Sequence, residues 1–292
     1  MSTTQVKTTR AKNSQKIAFQ GVPGAYSHLS CQSVYPALEP LASESFEDAM
    51  AAVHDGSAQL AMIPIENTLG GRVADIHHLL PEARLYIIGE HFQRVEHELL
   101  APAGATLDSI KMVYSHPQAL AQCRGLIRDL QLTAVSRADT AGSAQEIAEL
   151  GDPSKAAIAS RLAGEIYGLQ SLRSRIEDKL GNTTRFIIMA PQRVDPSPDT
   201  ASIVSLLFQV RSVPAALYKA LGGFATNGIN TVKLESYITD SAFTVAQFYA
   251  EIEGHVAQRS MDYALAELQY FSTRMKVLGC YPAHPFRLEH KL

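Results

Sequence analysis

Four short runs in this sequence gather hydroxyls, amides, a histidine and an arginine at places where one small ligand could meet them. Gly21-Val22-Pro23-Gly24-Ala25-Tyr26-Ser27 follows the apolar Ile17-Ala18-Phe19. Its glycines let backbone approach a ligand, and a following helix would offer N–H groups to an anion, although a plain tight turn uses the same residues. Its spacing is neither a dinucleotide fingerprint nor a phosphate-binding loop. Pro64-Ile65-Glu66-Asn67-Thr68-Leu69-Gly70-Gly71 brings acceptors and donors to the end of an apolar run, as a ligand loop or a capped turn. In Ser115-His116-Pro117-Gln118, either Ser115 or His116 can cap a helix. His116 is also a candidate general base, since histidine titrates near neutrality. Asp178-Lys179-Leu180-Gly181-Asn182-Thr183-Thr184-Arg185-Phe186 presses an Asn, hydroxyls and an Arg against a strand. The arginine could grip a carboxylate with two prongs, or simply sit exposed on a turn.

The elements that must position these runs alternate along the first two thirds of the chain. Leu60-Ala61-Met62-Ile63, Lys111-Met112-Val113-Tyr114 and Ala156-Ala157-Ile158-Ala159 read as buried strands. Phe46 to Val53 reads as a helix with Ser45 as N-cap and Asp48 completing a capping box. Pro117 to Leu130 reads as one helix, with Leu120, Cys123, Ile127 and Leu130 on one face. Ala141 to Leu150 is a helix closed by Gly151. Repeated strand–helix units predict an α/β fold with mostly parallel strands, whose ligands collect at the strands' carboxyl ends.

Three prolines between Pro191 and Pro198 mark a seam, and the pattern changes across it. Ser202–Val210, Asn230–Ile238, Phe243–Ile252 and Met275–Gly279 read as strands, with helices over Pro214–Thr226 and Arg259–Ser272 and a turn at Thr239-Asp240-Ser241. That order is β-α-β-β-α-β, a ferredoxin-like unit. The expected organisation is a disordered tail over 1–16, a catalytic domain over 17–191, a linker over 192–200, a regulatory domain over 201–281 and a C-terminal tail over 282–292.

Composition excludes several classes. The 292 residues are 46% hydrophobic and 19% charged with a net charge of −3, enough apolar material for two cores and no basic face for nucleic acid or an anionic membrane. No run of about twenty apolar residues predicts a membrane helix. Three scattered cysteines, Cys31, Cys123 and Cys280, make neither a metal motif nor a disulfide framework and suit a reducing, cytoplasmic setting. His77-His78 lacks ligand spacing, and His91 and His97 read as surface or loop residues. No G-x-S-x-G elbow supports a hydrolase triad.

Taken in order, the motifs resemble the prephenate dehydratase family: Gly21-x-Pro23-Gly24-x-Tyr26-Ser27, Pro64-Ile65-Glu66-Asn67, Ser115-His116-Pro117-Gln118-Ala119-Leu120, Asp139-Thr140-Ala141, Ala157-Ile158-Ala159-Ser160 and Asn182-x-Thr184-Arg185-Phe186. The segment after the seam resembles an ACT domain through Ala216-Leu217, Ile229-Asn230 and Leu234-Glu235-Ser236. The resemblance implies two α/β lobes like those of periplasmic solute-binding proteins, with an active site in the cleft. It implies a homodimer or homotetramer whose paired ACT domains bind phenylalanine and inhibit the enzyme. It also implies chemistry that needs no metal or redox cofactor: prephenate loses carbon dioxide and its ring hydroxyl to become phenylpyruvate. Thr184 would assist the departing hydroxyl, more plausibly by a preorganised hydrogen bond than by full proton transfer, and Arg185 would hold a carboxylate. Asn67, Thr68, Ser115, Gln118, Thr140, Ser160, Asn182 and Phe186 are the expected substrate-binding set, with Glu66 a scaffold residue. Ala215, Leu217, Asn230, Leu234, Glu235 and Ser236 are the expected regulatory set. Thr68 stands where the family usually has Ser, Ala215 where it has Gly, and Tyr237-Ile238 where it has Arg-Pro; the last two point to weakened phenylalanine control. Arogenate, bearing an amino acid in place of the keto acid, is the alternative substrate, to be discriminated around Thr140–Ser143. A non-catalytic amino-acid-sensing binder is the reading from another class.

Overall fold

The computed structural model describes residues 15–211, 213–238 and 246–289. The expected tail up to residue 14 and the turn at Thr239-Asp240-Ser241 lie outside them.

Apolar runs and caps build a first lobe from β1 (Lys16–Gln20), α1 (Tyr26–Val34), β2 (Glu39–Ser43), α2 (Phe46–His54), β3 (Leu60–Asn67), β4 (Gly71–Arg72), α3 (Ala74–Leu79) and β5 (Tyr86–Arg94). The predicted capping box is present: Ser45 and Asp48 each satisfy the other's backbone N–H at the start of α2. The chain then crosses to a second lobe of β6 (Glu98–Ala101), β7 (Met112–Ser115), α4 (Pro117–Gln122), α5 (Arg124–Asp129), β8 (Thr133–Ser136), α6 (Thr140–Leu150), β9 (Lys155–Ala159), α7 (Arg161–Tyr167) and β10 (Gln170–Ser174). It returns in β11 (Thr183–Ala190), which inserts between β3 and β5. Two crossings therefore join the lobes, and they hold each other: Val95 N–H donates to the Asn182 carbonyl at 2.8 Å.

The two sheets run β2-β1-β3-β11-β5, with β4 on β3, and β10-β6-β9-β7-β8. They are mixed rather than mostly parallel. Strand–helix–strand units give the parallel pairs β1–β2, β1–β3, β7–β8 and β7–β9. The strands next to each crossing, β5, β6, β10 and β11, pair antiparallel instead, because the chain reverses direction as it changes lobes.

The single helix expected over Pro117–Leu130 is broken at Cys123, which has φ −121° and ψ 28°. Asp178 from the returning crossing supports the break. Its N–H donates to the Gln122 carbonyl at 2.7 Å, and its carboxylate accepts from Gly125 N–H at 3.0 Å.

β12 (Ser202–Val210), α8 (Ala216–Thr226), β13 (Thr231–Ile238), β14 (Ala246–Glu253), α9 (Arg259–Phe271) and β15 (Ser272–Pro282) form an antiparallel sheet, β13-β14-β12-β15, with two helices. This is the expected ferredoxin-like order. No strand or helix lies between β11 and β12. The sheet does not stand apart from the first lobe. Its Ile203, Leu207, Tyr237, Tyr249, Leu278 and Tyr281 share one buried cluster with Ile63, Ile65, Ile76, Ile187 and Met189. Such side chains contribute roughly 1.5–3 kcal/mol each when fully buried. β15 lies so close to β5 that a Cβ at Gly279 would overlap the Ile87 carbonyl. Within the expected C-terminal tail, the described residues up to 289 are structured, and 290–292 lie outside them. α10 (Pro285–Glu289) docks there, with Phe286 stacked on Phe92 at 4.6 Å between ring centroids and Arg287 paired to Glu90 and Glu251.

Candidate active site

The strands of both lobes deliver their loops to a cleft, where a cavity of about 130 Å³ is lined by Tyr26, Asn67, Val95, His97, His116, Gln118, Ala119, Gln122, Thr140, Asn182 and Thr184. A volume of this class accommodates a single aromatic ring. Five of the predicted residues meet here: Asn67 from the end of β3, Gln118 from α4, Thr140 from the start of α6, Asn182 from the crossing and Thr184 from β11.

Their hydrogen bonds give the cluster a direction. Asn67 Oδ1 accepts from the N–H groups of Leu69 and Gly70, at 2.9 and 2.7 Å, which settles the orientation of its amide. Asn67 Nδ2 therefore donates to Thr184 Oγ1 at 2.9 Å and to Asn182 Oδ1 at 2.7 Å. With its oxygen accepting, the Thr184 hydroxyl keeps its own hydrogen available for a ligand. Asn182 Nδ2 donates to Gln122 Oε1 at 2.9 Å, and the same oxygen lies 3.0 Å from His97 Nε2. His97 Nδ1 lies 3.0 Å from the Tyr26 hydroxyl. Gly70 makes room for Gln118, whose amide would meet any Cβ placed at that glycine.

Other expected binding residues are elsewhere. Arg185 alternates with Thr184 along β11 and points away from the cleft. It is 2% exposed, with Nε 2.6 Å from Glu66, Nη1 3.2 Å from Glu90, and a two-pronged pair to Glu251 of β14. Its carboxylates belong to the protein, so it is not free to hold one from a substrate. Glu66 also pairs with Lys233 of β13. Phe186 is 1% exposed in the core beneath α1, with Ile17, Phe19, Met62 and Ile188. Ser115 is fully buried and donates to the Ile158 carbonyl at 2.6 Å. Ser160 caps α7 and donates to the Gly24 carbonyl at 2.5 Å, tying the lobes together. Gly24, at φ +92°, has no room for a Cβ against Ala163, so this glycine serves lobe packing rather than ligand approach. Thr68 accepts from Thr183 N–H at 3.0 Å and steadies the Asn182 turn. His116 caps α4 through Nδ1, which accepts from Gln118 N–H at 3.2 Å, while its ring lines the cavity.

Sequence reading missed Tyr26, Gln122 and His97 as lining residues. His97 is 2% exposed, not a surface residue, and its backbone N–H donates to Glu177. Burial lowers its pKa against the smaller upward pull of Gln122 and Glu177. Burial, reinforced by Glu177, raises Tyr26 well above the ordinary tyrosine range. The only signal for Tyr26 was its place inside the first motif; nothing local marked the other two.

The expected regulatory residues lie along the C-terminal sheet. Ala215 is left-handed at φ +60° before α8, Leu217 is half-buried on its core, and Asn230 donates to Glu253. Leu234 is exposed, while Glu235 and the Ser236 carbonyl are engaged by Arg72 of β4.

The family model for prephenate dehydratase matches residues 17–194. The chain belongs to the prephenate dehydratase family. It is a carbon–oxygen lyase of phenylalanine biosynthesis. A bifunctional N-acyl-homoserine lactone acylase/prephenate dehydratase of Komagataeibacter europaeus is 49% identical over 272 residues, 93% of this chain and 97% of that one. Arogenate dehydratase/prephenate dehydratase 1, a chloroplastic protein of Arabidopsis thaliana, is 37% identical over 281 residues, 91% of this chain and 72% of its own length. Among solved structures, the prephenate dehydratase of Arthrobacter aurescens in complex with L-Phe aligns at a TM-score of 0.84 and 28% identity, covering 92% of this chain and 90% of that one. Among the described residues no helix is long and apolar enough to cross a membrane.

Proposed function

We propose that the cleft binds prephenate and expels its ring hydroxyl against a hydrogen bond from Thr184, with Asn67, Gln118, Thr140 and Asn182 orienting the substrate. The observation that carries this reading is the Asn67 amide donating to Thr184 Oγ1, which keeps the threonine's own hydrogen available for a ligand. As the ring carboxylate departs as carbon dioxide, its bonding pair enters the ring and the C–O pair leaves with the hydroxyl, which gains a proton to become water. Negative charge develops on that oxygen, where a preorganised donor acts most strongly. Turnover assays with prephenate and arogenate side by side test the reading. Prephenate is the expected better substrate, and Thr140 is the residue of the Thr140–Ser143 run that faces the cavity; Ala141 and Ser143 are buried.

We assign 17–191 to catalysis, 192–200 to a linker and 201–281 to an ACT regulatory domain, in a cytoplasmic homodimer or homotetramer. The Arthrobacter aurescens complex with L-Phe supports phenylalanine as effector. Three buried free cysteines suit a reducing compartment. Calorimetry of the whole enzyme with phenylalanine, alongside its size in solution, tests effector and assembly; no heat at millimolar ligand would remove the effector.

A second reading, cleavage of N-acyl-homoserine lactones, is favoured by the relative that is 49% identical. Cys31 and Cys123 are pushed up to about 12 by burial, so neither supplies a thiolate. Such cleavage would run through a hydroxyl or a water in the cleft. Acyl release from such a lactone by the Thr184→Val protein separates a shared site from a second one.

A further inference from the structure

Among the described residues the cavity presents no lysine or arginine, yet the substrate assigned above is a dianion. Placing two carboxylates against neutral amides and hydroxyls leaves charge poorly balanced in a half-closed site. His97 and His116 are the cavity's two groups that can become cations.

Hydrogen-bond direction separates them. Gln122 Oε1 can only accept, and it already accepts from Asn182, so His97 Nε2 carries a hydrogen toward it. His97 Nδ1 then faces the Tyr26 hydroxyl at 3.0 Å, and that hydroxyl also lies 2.6 Å from the Glu96 carbonyl. Neutral His97 accepts the tyrosine hydrogen. Protonated His97 donates to the tyrosine oxygen, and the tyrosine hydrogen turns to Glu96. With His97 neutral the one tyrosine hydrogen is shared between two acceptors, Nδ1 and the Glu96 carbonyl; with His97 protonated each contact has its own hydrogen, and the chain from His97 through Gln122, Asn182 and Asn67 to Thr184 is unchanged. His116 lacks this arrangement, because its Nδ1 is committed as acceptor from Gln118 N–H. We propose that His97 is the charge-balancing residue of the cleft, taking up one proton at Nδ1 when the dicarboxylate binds.

The groups around it fit that role. Glu177, on the returning crossing, accepts from its backbone at 3.1 Å and offers a buried counter-charge. Glu96 and Glu98 flank it in sequence, Tyr26 faces it from α1, and Cys123 follows Gln122. In the empty enzyme burial keeps His97 neutral, and an arriving anion reverses that balance. Between its pKa in the free enzyme and its higher pKa in the complex, binding takes up a proton and weakens about tenfold for each pH unit gained. A cation held by the retained side-chain carboxylate strengthens binding before and during the reaction alike, so the effect falls on KM rather than kcat.

The inference rests on prephenate being the substrate. The test is kcat and KM for prephenate between about pH 6.5 and 9, in the wild-type enzyme, His97→Gln and His116→Gln. Glutamine at 97 can still donate to Gln122 but cannot titrate near neutrality. Wild-type KM is expected to rise with pH by up to tenfold per unit. His97→Gln should show a KM raised about tenfold at pH 6.5, no slope, and kcat within about threefold, while His116→Gln keeps the slope. A flat wild-type profile, or a slope retained in His97→Gln, overturns the proposal. If His97→Gln does not fold, proton uptake seen by indicator dye when prephenate meets Thr184→Val decides instead: about one proton at pH 7.5 is expected, and none overturns it. Absence of turnover at every pH would instead remove the substrate assignment.

Discussion

Thr184 and Arg185 are neighbours on β11 and stand in opposite surroundings. On the cleft face, Thr184 belongs to a chain of neutral amides and hydroxyls, with its hydrogen left for a ligand. On the other face, Arg185, Lys233 and Arg287 meet Glu66, Glu90 and Glu251, three cations against three anions beneath the C-terminal sheet. The charged face pairs each cation with at least one carboxylate of the protein. The neutral face is open and leaves its polar capacity for a substrate. On β11, fixed charge therefore marks where the C-terminal unit docks, and the face that lines the cleft carries a neutral hydroxyl. Glu251 shows how firm the docking is: burial pushes its pKa up, but Arg185 outweighs that and holds it at about 2.

The contrast is sharpest under Arg185→Met. Removing one partner from a buried charge cluster costs on the order of 3–5 kcal/mol. Urea unfolding should register most of that loss, softened because Arg287 still reaches Glu251 at 2.7 Å. Turnover per folded molecule should fall less than in a cleft variant; an unchanged midpoint with abolished turnover would return Arg185 to the catalytic set. Thr184→Val should do the reverse, lowering kcat by about 10²–10³ with the circular dichroism unaltered. Near-normal turnover would sink its role.

A smaller effect concerns His77 of α3, which is 1% exposed against Tyr237 and Tyr249, with both ring nitrogens unpartnered. Burial, aided by Lys233, lowers its pKa from 6.5 to about 4. The unfolded chain binds this proton more readily than the folded one. Its contribution to stability is thus complete above about pH 6.5 and declines as pH falls toward 4. His77→Phe should flatten that part of the stability curve, measured as thermal midpoint against pH; an unchanged slope assigns it to other groups. The smallest effect is expected at Ala215, whose left-handed φ of +60° strains a residue bearing a Cβ. Ala215→Gly should raise stability by about 0.5 kcal/mol, the relieved strain less glycine's greater freedom when unfolded. A drop would mean the methyl packs favourably.

Much was legible locally. The capping box at Ser45, the left-handed close of α6 at Gly151 and the ferredoxin-like order after the seam depend on near neighbours, and they formed as read. Asn67, Gln118, Thr140, Asn182 and Thr184 meet at the cleft, where Asn67 ends β3, Gln118 and Thr140 lie in the first turns of helices, and Asn182 and Thr184 stand at the entry to β11. The errors have a common source. Ser115, Ser160 and Phe186 sit inside motifs, and a motif mixes residues that touch ligand with residues that hold the loop. His97 and Gln122 sit in no pattern, because their partners come from other elements.

By itself the sequence determined the elements, their order and which loops carry polar side chains, because hydrophobic period and caps act over a few residues. The expectation that Arg185 would hold a substrate carboxylate beside Thr184 overlooked that adjacent strand side chains point to opposite faces. Only the tertiary structure decided what covers each face. Docking of β14 supplied the Glu251 carboxylate from more than sixty residues away, and α10 added Arg287 beside it, which made Arg185 a buried clasp and left Thr184 at the open cleft. Only folding sets such distant groups within hydrogen-bonding reach, and there burial decides whether a charge serves the protein or its ligand.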